Sequence, residues 1–272
     1  MPSSITLNRT STELANALGD IQIWRAGELG CASALTVPTG YTALDLVLPG
    51  GGWPLGALVE VLQGQAGQHE WGVMAPALAA IQHQKPAALT VLVGAPYLPF
   101  GPALAARHFS MRRMLSIHAP QGQAPSLLWA TREALQCADV AVVLAWLPDA
   151  RSAHLRRLQI AAHAHGKLLF VFRPLRAQNE SSPAPLRLLL EGAAGDAGNL
   201  QVHVIKRRGP PLAAPLLLNT RPARLAALLA ASRERARFKR EELLPSLPAL
   251  LPALFTLEPK GHALDRTASL HH

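Results

Sequence analysis

The residues whose types and spacing come nearest to chemistry lie between Gly64 and Trp71, G-Q-A-G-Q-H-E-W. They directly follow an apolar run, Ala57 to Leu62, that reads as a buried strand. A glycine-bearing loop between a strand and a helix is where backbone N–H groups can wrap phosphates. Nucleotide chemistry asks for more: in G-x-x-x-x-G-K-[ST] the Lys reaches the outer phosphates and the hydroxyl binds Mg²⁺. Counted from Gly64, this chain puts His69 at the second glycine, Glu70 at the Lys and Trp71 at the hydroxyl. A register slipped by one puts His69 and Glu70 in the last two places, again without Lys, Ser or Thr. A carboxylate there repels a triphosphate, and an indole does not ligate magnesium. Gly64, Gly67, His69, Glu70 and Trp71 thus read as a phosphate loop that has lost its chemistry. No cofactor is expected.

The elements that would position such a loop are legible upstream. Val37 to Glu60 contains a T-G-x-x-x-L-D turn (Thr39 to Asp45), then a G-G-G-x-P-x-G hairpin (Gly50 to Gly56), then the strand. This string resembles the entry to the RecA core. The resemblance implies three further catalytic places, and each lacks its side chain. The strand Val91-Leu92-Val93 runs into Gly94-Ala95-Pro96-Tyr97 without the Glu that activates water. The strand from Val140 carries Leu144 where Asp would hold magnesium, and Asp139 stands at the strand's wrong end. Phe170-Val171-Phe172 leads to Arg173-Pro174 where a polar sensor of the γ-phosphate belongs. With the loop, four positions have lost what hydrolysis requires. The reading is that of a non-enzyme.

No other chemistry stands out. The 11 histidines form no metal-ligand set, and no nucleophile signature is present. Two distant cysteines, Cys31 and Cys137, argue against a disulfide framework and fit a reducing compartment. The first residues show no signal-peptide pattern, and no uncharged apolar stretch approaches the roughly 20 residues that span a bilayer. A cytoplasmic protein with no membrane contact is expected. The net charge of +9 is uneven: residues 1–105 hold three Lys/Arg against six Asp/Glu, residues 106–272 twenty-three against eleven. Two readings stay open, a basic face for nucleic acid and a compositional bias toward arginine.

From Glu70 the pattern alternates. Helices are expected over Glu70–Gln84 (started or kinked by Pro76), Pro102–His108, Pro125–Ala138 and Ala150–His165. Strands are expected over Ala88–Gly94, Arg112–His118, Val140–Trp146 and Lys167–Arg173. Alternation with short continuous apolar runs predicts an α/β fold with a mostly parallel central sheet. Leu186–Glu191, Leu200–Arg208 and Pro215–Asn219 have no helices between them and are expected as antiparallel edge strands. The organisation read is a lead-in over 1–36, a core over 37–219 and a basic helix with a Pro/Leu-rich tail over 220–272. In the lead-in, Ser11 to Leu18 suggests a short helix, and Ile21, Ile23 and Trp24 an apolar knot.

Binding candidates fall in loops and in the tail. Arg173, Arg176 and Arg187 bracket a polar, proline-bounded stretch that in RecA-like proteins carries a DNA-binding loop. Lys206, Arg207 and Arg208 end the next long strand and could track phosphates; equally, such charges keep an edge strand solvated. In the tail, Arg233, Arg237 and Phe238 lie on a charged helix from Pro222 to Leu244. After it, Leu243, Leu244, Leu247, Leu250, Leu251, Leu254 and Phe255 alternate with prolines. That pattern suits an extended segment docked on a partner or on its own core, since prolines forbid a regular helix.

Taken together, the entry string Val37–Glu60, the degenerate loop and the basic, Pro-rich tail resemble the ImuA family of RecA-like, SulA-related bacterial proteins. The resemblance implies a non-catalytic adaptor in SOS-induced translesion synthesis and mutagenesis. Its partners would be an ImuB-like Y-family polymerase homologue, an error-prone polymerase III alpha subunit, and also RecA or single-stranded DNA. The alternative it leaves open is a SulA-type cell-division inhibitor acting on FtsZ.

Overall fold

Thr39 and Asp45 close the first turn of the described chain upon themselves. The Thr39 N–H donates to Asp45 Oδ1 at 2.8 Å, and the Tyr41 N–H donates to Thr39 Oγ1 at 3.0 Å. This fixes the entry to the one-turn helix α1 (Thr42–Asp45), whose Leu44 is fully buried. Gly40 turns the chain at φ +87°, and a Cβ there would stand 2.5 Å from Pro76 Cβ. The T-G-x-x-x-L-D spacing is thereby explained. Glycine takes the left-handed turn against Pro76, leucine fills the core, and the carboxylate accepts a free N–H.

Pro76 has its own consequence. It lies inside α2 (Glu70–Gln84), which runs through it unbroken. Proline offers no N–H, so the carbonyl of Gly72, one turn earlier, loses its helical donor. The Tyr41 hydroxyl supplies the missing bond, donating to Gly72 O at 2.5 Å. Burial raises the Tyr41 pKa above the ordinary phenol value, although Arg107 pulls it down, so the phenol stays a donor. Pro76 therefore neither starts nor ends the helix, and the entry turn supplies the donor that it lacks.

The computed structural model describes residues 35–120, 123–193 and 198–243, and the chain divides into two compact units, Met1–Pro222 and Ala223–His272. In the first unit, β1 (Thr36–Val37) and β2 (Trp53–Pro54) pair antiparallel across the glycine hairpin. Then follow β3 (Ala57–Gln63), α2, β4 (Leu89–Val93), α3 (Gly101–Ala105), β5 (Met114–Ile117) and α4 (Ala124–Gln136). After these come β6 (Val140–Trp146), α5 (Ser152–His165), β7 (Leu168–Pro174), β8 (Leu186–Gly192), β9 (Asn199–Lys206) and β10 (Leu216–Asn219). The second unit contains α6 (Ala223–Leu243). The expected lead-in helix, the apolar knot and the tail beyond Leu243 lie outside the described residues.

Strands β3 to β10 form one mixed sheet in the order β10-β9-β8-β3-β7-β6-β4-β5. The fold is α/β with a mostly parallel sheet, as the alternation predicts. One expectation needs correcting. β8 is not part of an antiparallel addition: it pairs parallel with β3, and only β9 and β10 run antiparallel. The link from β7 to β8 passes over β3 through a 3₁₀ turn, Leu175–Asn179, instead of a helix. The missing helix made β8 resemble the start of a meander. Both faces of the sheet are covered. Val59, Val61, Phe170 and Phe172 share a core with Leu44, Trp53 and Leu78, while Leu58, Val143, Leu169 and Val171 share another with Leu135, Leu155 and Leu158.

A double-mutant cycle tests the Tyr41–Gly72 contact. Tyr41→Phe is expected to cost about 1–2 kcal/mol, because a partly buried carbonyl loses the donor that replaces its helical one. In a Pro76→Ala background the restored backbone N–H at that position can take the carbonyl, so the same change is expected to cost about half or less. Chemical denaturation of the four proteins measures both; equal costs in the two backgrounds would refute the compensation.

Candidate functional site

The loop between β3 and α2 is organised around the Glu70 carboxylate. Glu70 is the first residue of α2 and is 1 % exposed. Its Oε1 accepts from the Gly67 N–H at 2.6 Å, from Gln63 Nε2 at 2.6 Å and from Trp146 Nε1 at 2.9 Å. Its Oε2 accepts from the His69 N–H at 3.0 Å. Gly67 turns the loop at φ +92°, with its Cα against the Tyr97 ring. Loop N–H groups at a helix N-terminus attract an anion, and here the chain supplies that anion itself. Trp71, in the hydroxyl place, packs on Phe109 with ring centroids 6.0 Å apart.

At the expected magnesium place the chain is apolar. Leu144 is fully buried inside β6, two residues before the strand ends at Trp146. Trp146 stacks on Phe172 at 4.6 Å while its indole N–H holds Glu70. The crevice at the carboxyl ends of β3, β4, β6 and β7, bounded by Gly64, Pro96, Trp146 and Pro174, measures only about 190 Å³. Pockets that bury drug-sized ligands run to roughly 300–1,000 Å³, and the neighbouring cavity lined by Gly67, Trp71, Tyr97 and Trp146 measures about 330 Å³. Among the described residues, no group of three or more His, Cys, Asp or Glu could hold a metal ion. No helix there is long and apolar enough to cross a membrane.

The six arginine and lysine candidates separate. Arg173 and Arg187 do not line an exposed loop: they are 3 % and 7 % exposed and sit on one face of the sheet around Glu60, itself fully buried. Glu60 Oε1 accepts from Arg173 at 2.9 Å, and Oε2 from Arg187 Nε at 2.7 Å. Strand pleat and register dictate this: Arg187 pairs with Glu60 across β8–β3, and Arg173 lies two residues beyond Glu60's partner on β7. Arg187 also donates to the carbonyls of Ala177 and Gln178 in the 3₁₀ turn. Arg173 also pairs with Glu180 at 2.7 Å, and its buried Nε is left without a partner. Burial lowers the Arg173 pKa, but hydrogen bonds and charge from Glu180 and Glu60 outweigh it and hold the value above that of free arginine. Arg173 in turn holds the Glu180 carboxyl below its usual value, through its hydrogen bond and its charge. These guanidiniums are committed to carboxylates inside the protein, which corrects their reading as phosphate contacts.

The remaining candidates are nearer the surface. Arg176 pairs with Asp149 at 3.0 Å, both exposed. Arg207 is tied to backbone carbonyls, donating to Pro210 O at 2.8 Å and to Val47 O. Lys206 donates to Ser182 O at 2.9 Å, and it and Arg208 remain exposed. In the second unit, Phe238 is 71 % exposed, and Arg233 and Arg237 lie one turn apart on α6. Leu243 ends that helix, and Leu244 to Phe255 fall outside the described residues. Sequence reasoning passed over Glu60 and Trp146, although a carboxylate inside the apolar run A-L-V-E-V-L demands a buried cation.

Two substitutions test these clusters. Glu60→Ala strands two buried guanidiniums and is expected to cost about 3–5 kcal/mol, whereas Glu60→Leu with Arg173→Met and Arg187→Met is expected to be near neutral. Equal losses in the single and triple variants would contradict a self-contained charge cluster. Glu70→Ala removes the acceptor of four donors and is expected to cost about 3 kcal/mol; Glu70→Lys, which brings a like-signed donor among them, is expected to cost more. A thermal melt that ranks Glu70→Lys as the more stable variant would show that the carboxylate does not organise the loop. The chain matches no protein-family model and no curated protein sequence, so the reading of this site rests on its own geometry.

Proposed function

We propose that the chain is a RecA-like core of the ImuA type whose nucleotide site has become a structural joint, and that it serves as a non-catalytic adaptor in SOS-induced translesion synthesis. The observation that carries the reading is the Glu70 carboxylate seated among the loop N–H groups of Gly67 and His69, where a nucleotide would need to place phosphate. A phosphate brought there meets a fixed negative charge and finds its donors taken. The entry string supports the RecA-like reading too, because each part does structural work: the turn grips Pro76 and the hairpin delivers the central strand β3. The family resemblance supplies the partners, an ImuB-like polymerase homologue and an error-prone polymerase III alpha subunit. The exposed apolar side chains of Tyr97, Leu98 and Phe100 beside the loop favour binding over catalysis.

Two measurements test it together. The purified chain is expected to turn over no ATP, with or without single-stranded DNA; turnover that Glu70→Ala abolishes would defeat the non-catalytic reading. A tagged chain recovered from DNA-damaged cells is expected to bring down the polymerase homologue, and to lose it when residues 233–272 are removed while the core still melts cooperatively. Recovery of FtsZ without a polymerase would favour the division-inhibitor reading instead.

A further inference from the structure

With Arg173 and Arg187 internal, the exposed basic groups of the first unit are placed elsewhere. Helices α4 and α5 pack side by side on one face of the sheet. Between them, at the carboxyl ends of β4, β5 and β6, lies a cleft of about 600 Å³ with Gly94, Leu147 and Leu158 in its lining. Crevices at strand carboxyl ends are where open α/β sheets take ligands. Trp129 and Arg132, three residues apart on α4, line one wall; His154 and Arg157, three apart on α5, line the other. Trp129 is 64 % exposed, an unusual state for the largest apolar side chain. Among the described residues no carboxylate pairs with Arg132 or Arg157. The acid in the lining, Asp149, is already paired with Arg176.

We propose that this cleft binds a single-stranded nucleic acid, with one base stacked on Trp129 and the flanking phosphates held by Arg132 and Arg157. An exposed indole beside unpaired guanidiniums is the combination that holds a strand without reading its sequence: the ring takes any base, and the cations follow the backbone. An acidic peptide would satisfy the arginines but leave the indole idle. A base satisfies both. The inference deepens the DNA contact allowed by the adaptor reading, but it is tested on the purified chain alone, so its failure leaves partner capture untouched.

The experiment is fluorescence anisotropy of the full chain with a labelled oligothymidylate of about 20 nucleotides, long enough for one site, in low salt. Trp129→Ala is expected to weaken binding about tenfold, and Trp129→Phe threefold or less, because a smaller ring still stacks. Arg132→Glu with Arg157→Glu is expected to weaken it about a hundredfold and to flatten the salt dependence. Arg156→Glu, on the same helix but outside the cleft, is the control for a single charge reversal, with an expected effect of threefold or less. Photocrosslinking of a bromodeoxyuridine-substituted strand to the unmutated chain is expected to mark Trp129, whatever the stability of the variants. The proposal is overturned if the unmutated chain does not bind the strand, or if Arg156→Glu matches the cleft pair. It is also overturned if the crosslink falls outside the cleft, or if thymidine monophosphate competes as well as the strand.

Discussion

The Glu70 carboxylate is the point through which three parts of the fold are joined. Gln63 ends β3, Gly67 and His69 belong to the loop, and Trp146 ends β6; all donate to it. A buried carboxylate is destabilising unless its lone pairs are met, and four donors meet them here. The exchange is physically coherent. A phosphate loop without phosphate leaves its N–H groups and the positive end of α2 unsatisfied, and a carboxylate on the first helical residue satisfies both at once. Such a loop holds its shape without a ligand.

The Glu60 cluster applies the same logic to the other side of β3. One carboxylate accepts from two guanidiniums, a second carboxylate at the rim takes up Arg173, and two carbonyls of the 3₁₀ turn take up Arg187. Charge is balanced within the cluster. Its physical worth lies in specificity of pairing rather than in net stability, since apolar residues could fill the same space. The bridges run from β3 to β7 and to β8, and those are the two strands whose connection lacks a helix. A crossover held only by a 3₁₀ turn gains a fixed register from ionic contacts that a one-residue slip would break.

How much of this was legible in the sequence divides along sequence distance. The Thr39–Asp45 turn, the glycine hairpin and the strand–loop–helix around Gly64 are local, and their residue types state their geometry. The contact of Tyr41 with Gly72 was half visible, because Pro76 announces a missing donor without saying what replaces it. The ion pairs of Glu60 were invisible: their partners lie 113 and 127 residues away. Arg173 and Arg187 sit at the ends of apolar runs beside a polar stretch, so local context placed them in a loop. Only the sheet order, with β3 between β7 and β8, turns them inward. The parallel direction of β8 was hidden for the same reason, since direction follows from where a strand docks and not from its own residues.

These placements change what the positive charge means. Counting every arginine of the second half of the chain as surface would make a broad basic face. Arg173 and Arg187 are neutralised internally, Arg176 is paired, and Arg207 is bound to carbonyls, so the part of the sheet around β8 and β9 is less cationic than its sequence suggests. On α4 and α5, by contrast, with the residue that caps α5, Arg132, Arg151, Arg156 and Arg157 are all exposed. Electrostatic attraction for a polyanion scales with charge that water can reach, not with formal charge. Four exposed cations of the first unit therefore gather on the helical face, opposite in the sheet to the core built on Trp53 and α2, while Lys85, Arg112, Arg113, Lys206 and Arg208 are exposed elsewhere. At the central crevice, which Trp146 lines, the Glu70 carboxylate instead joins β3, the loop and β6.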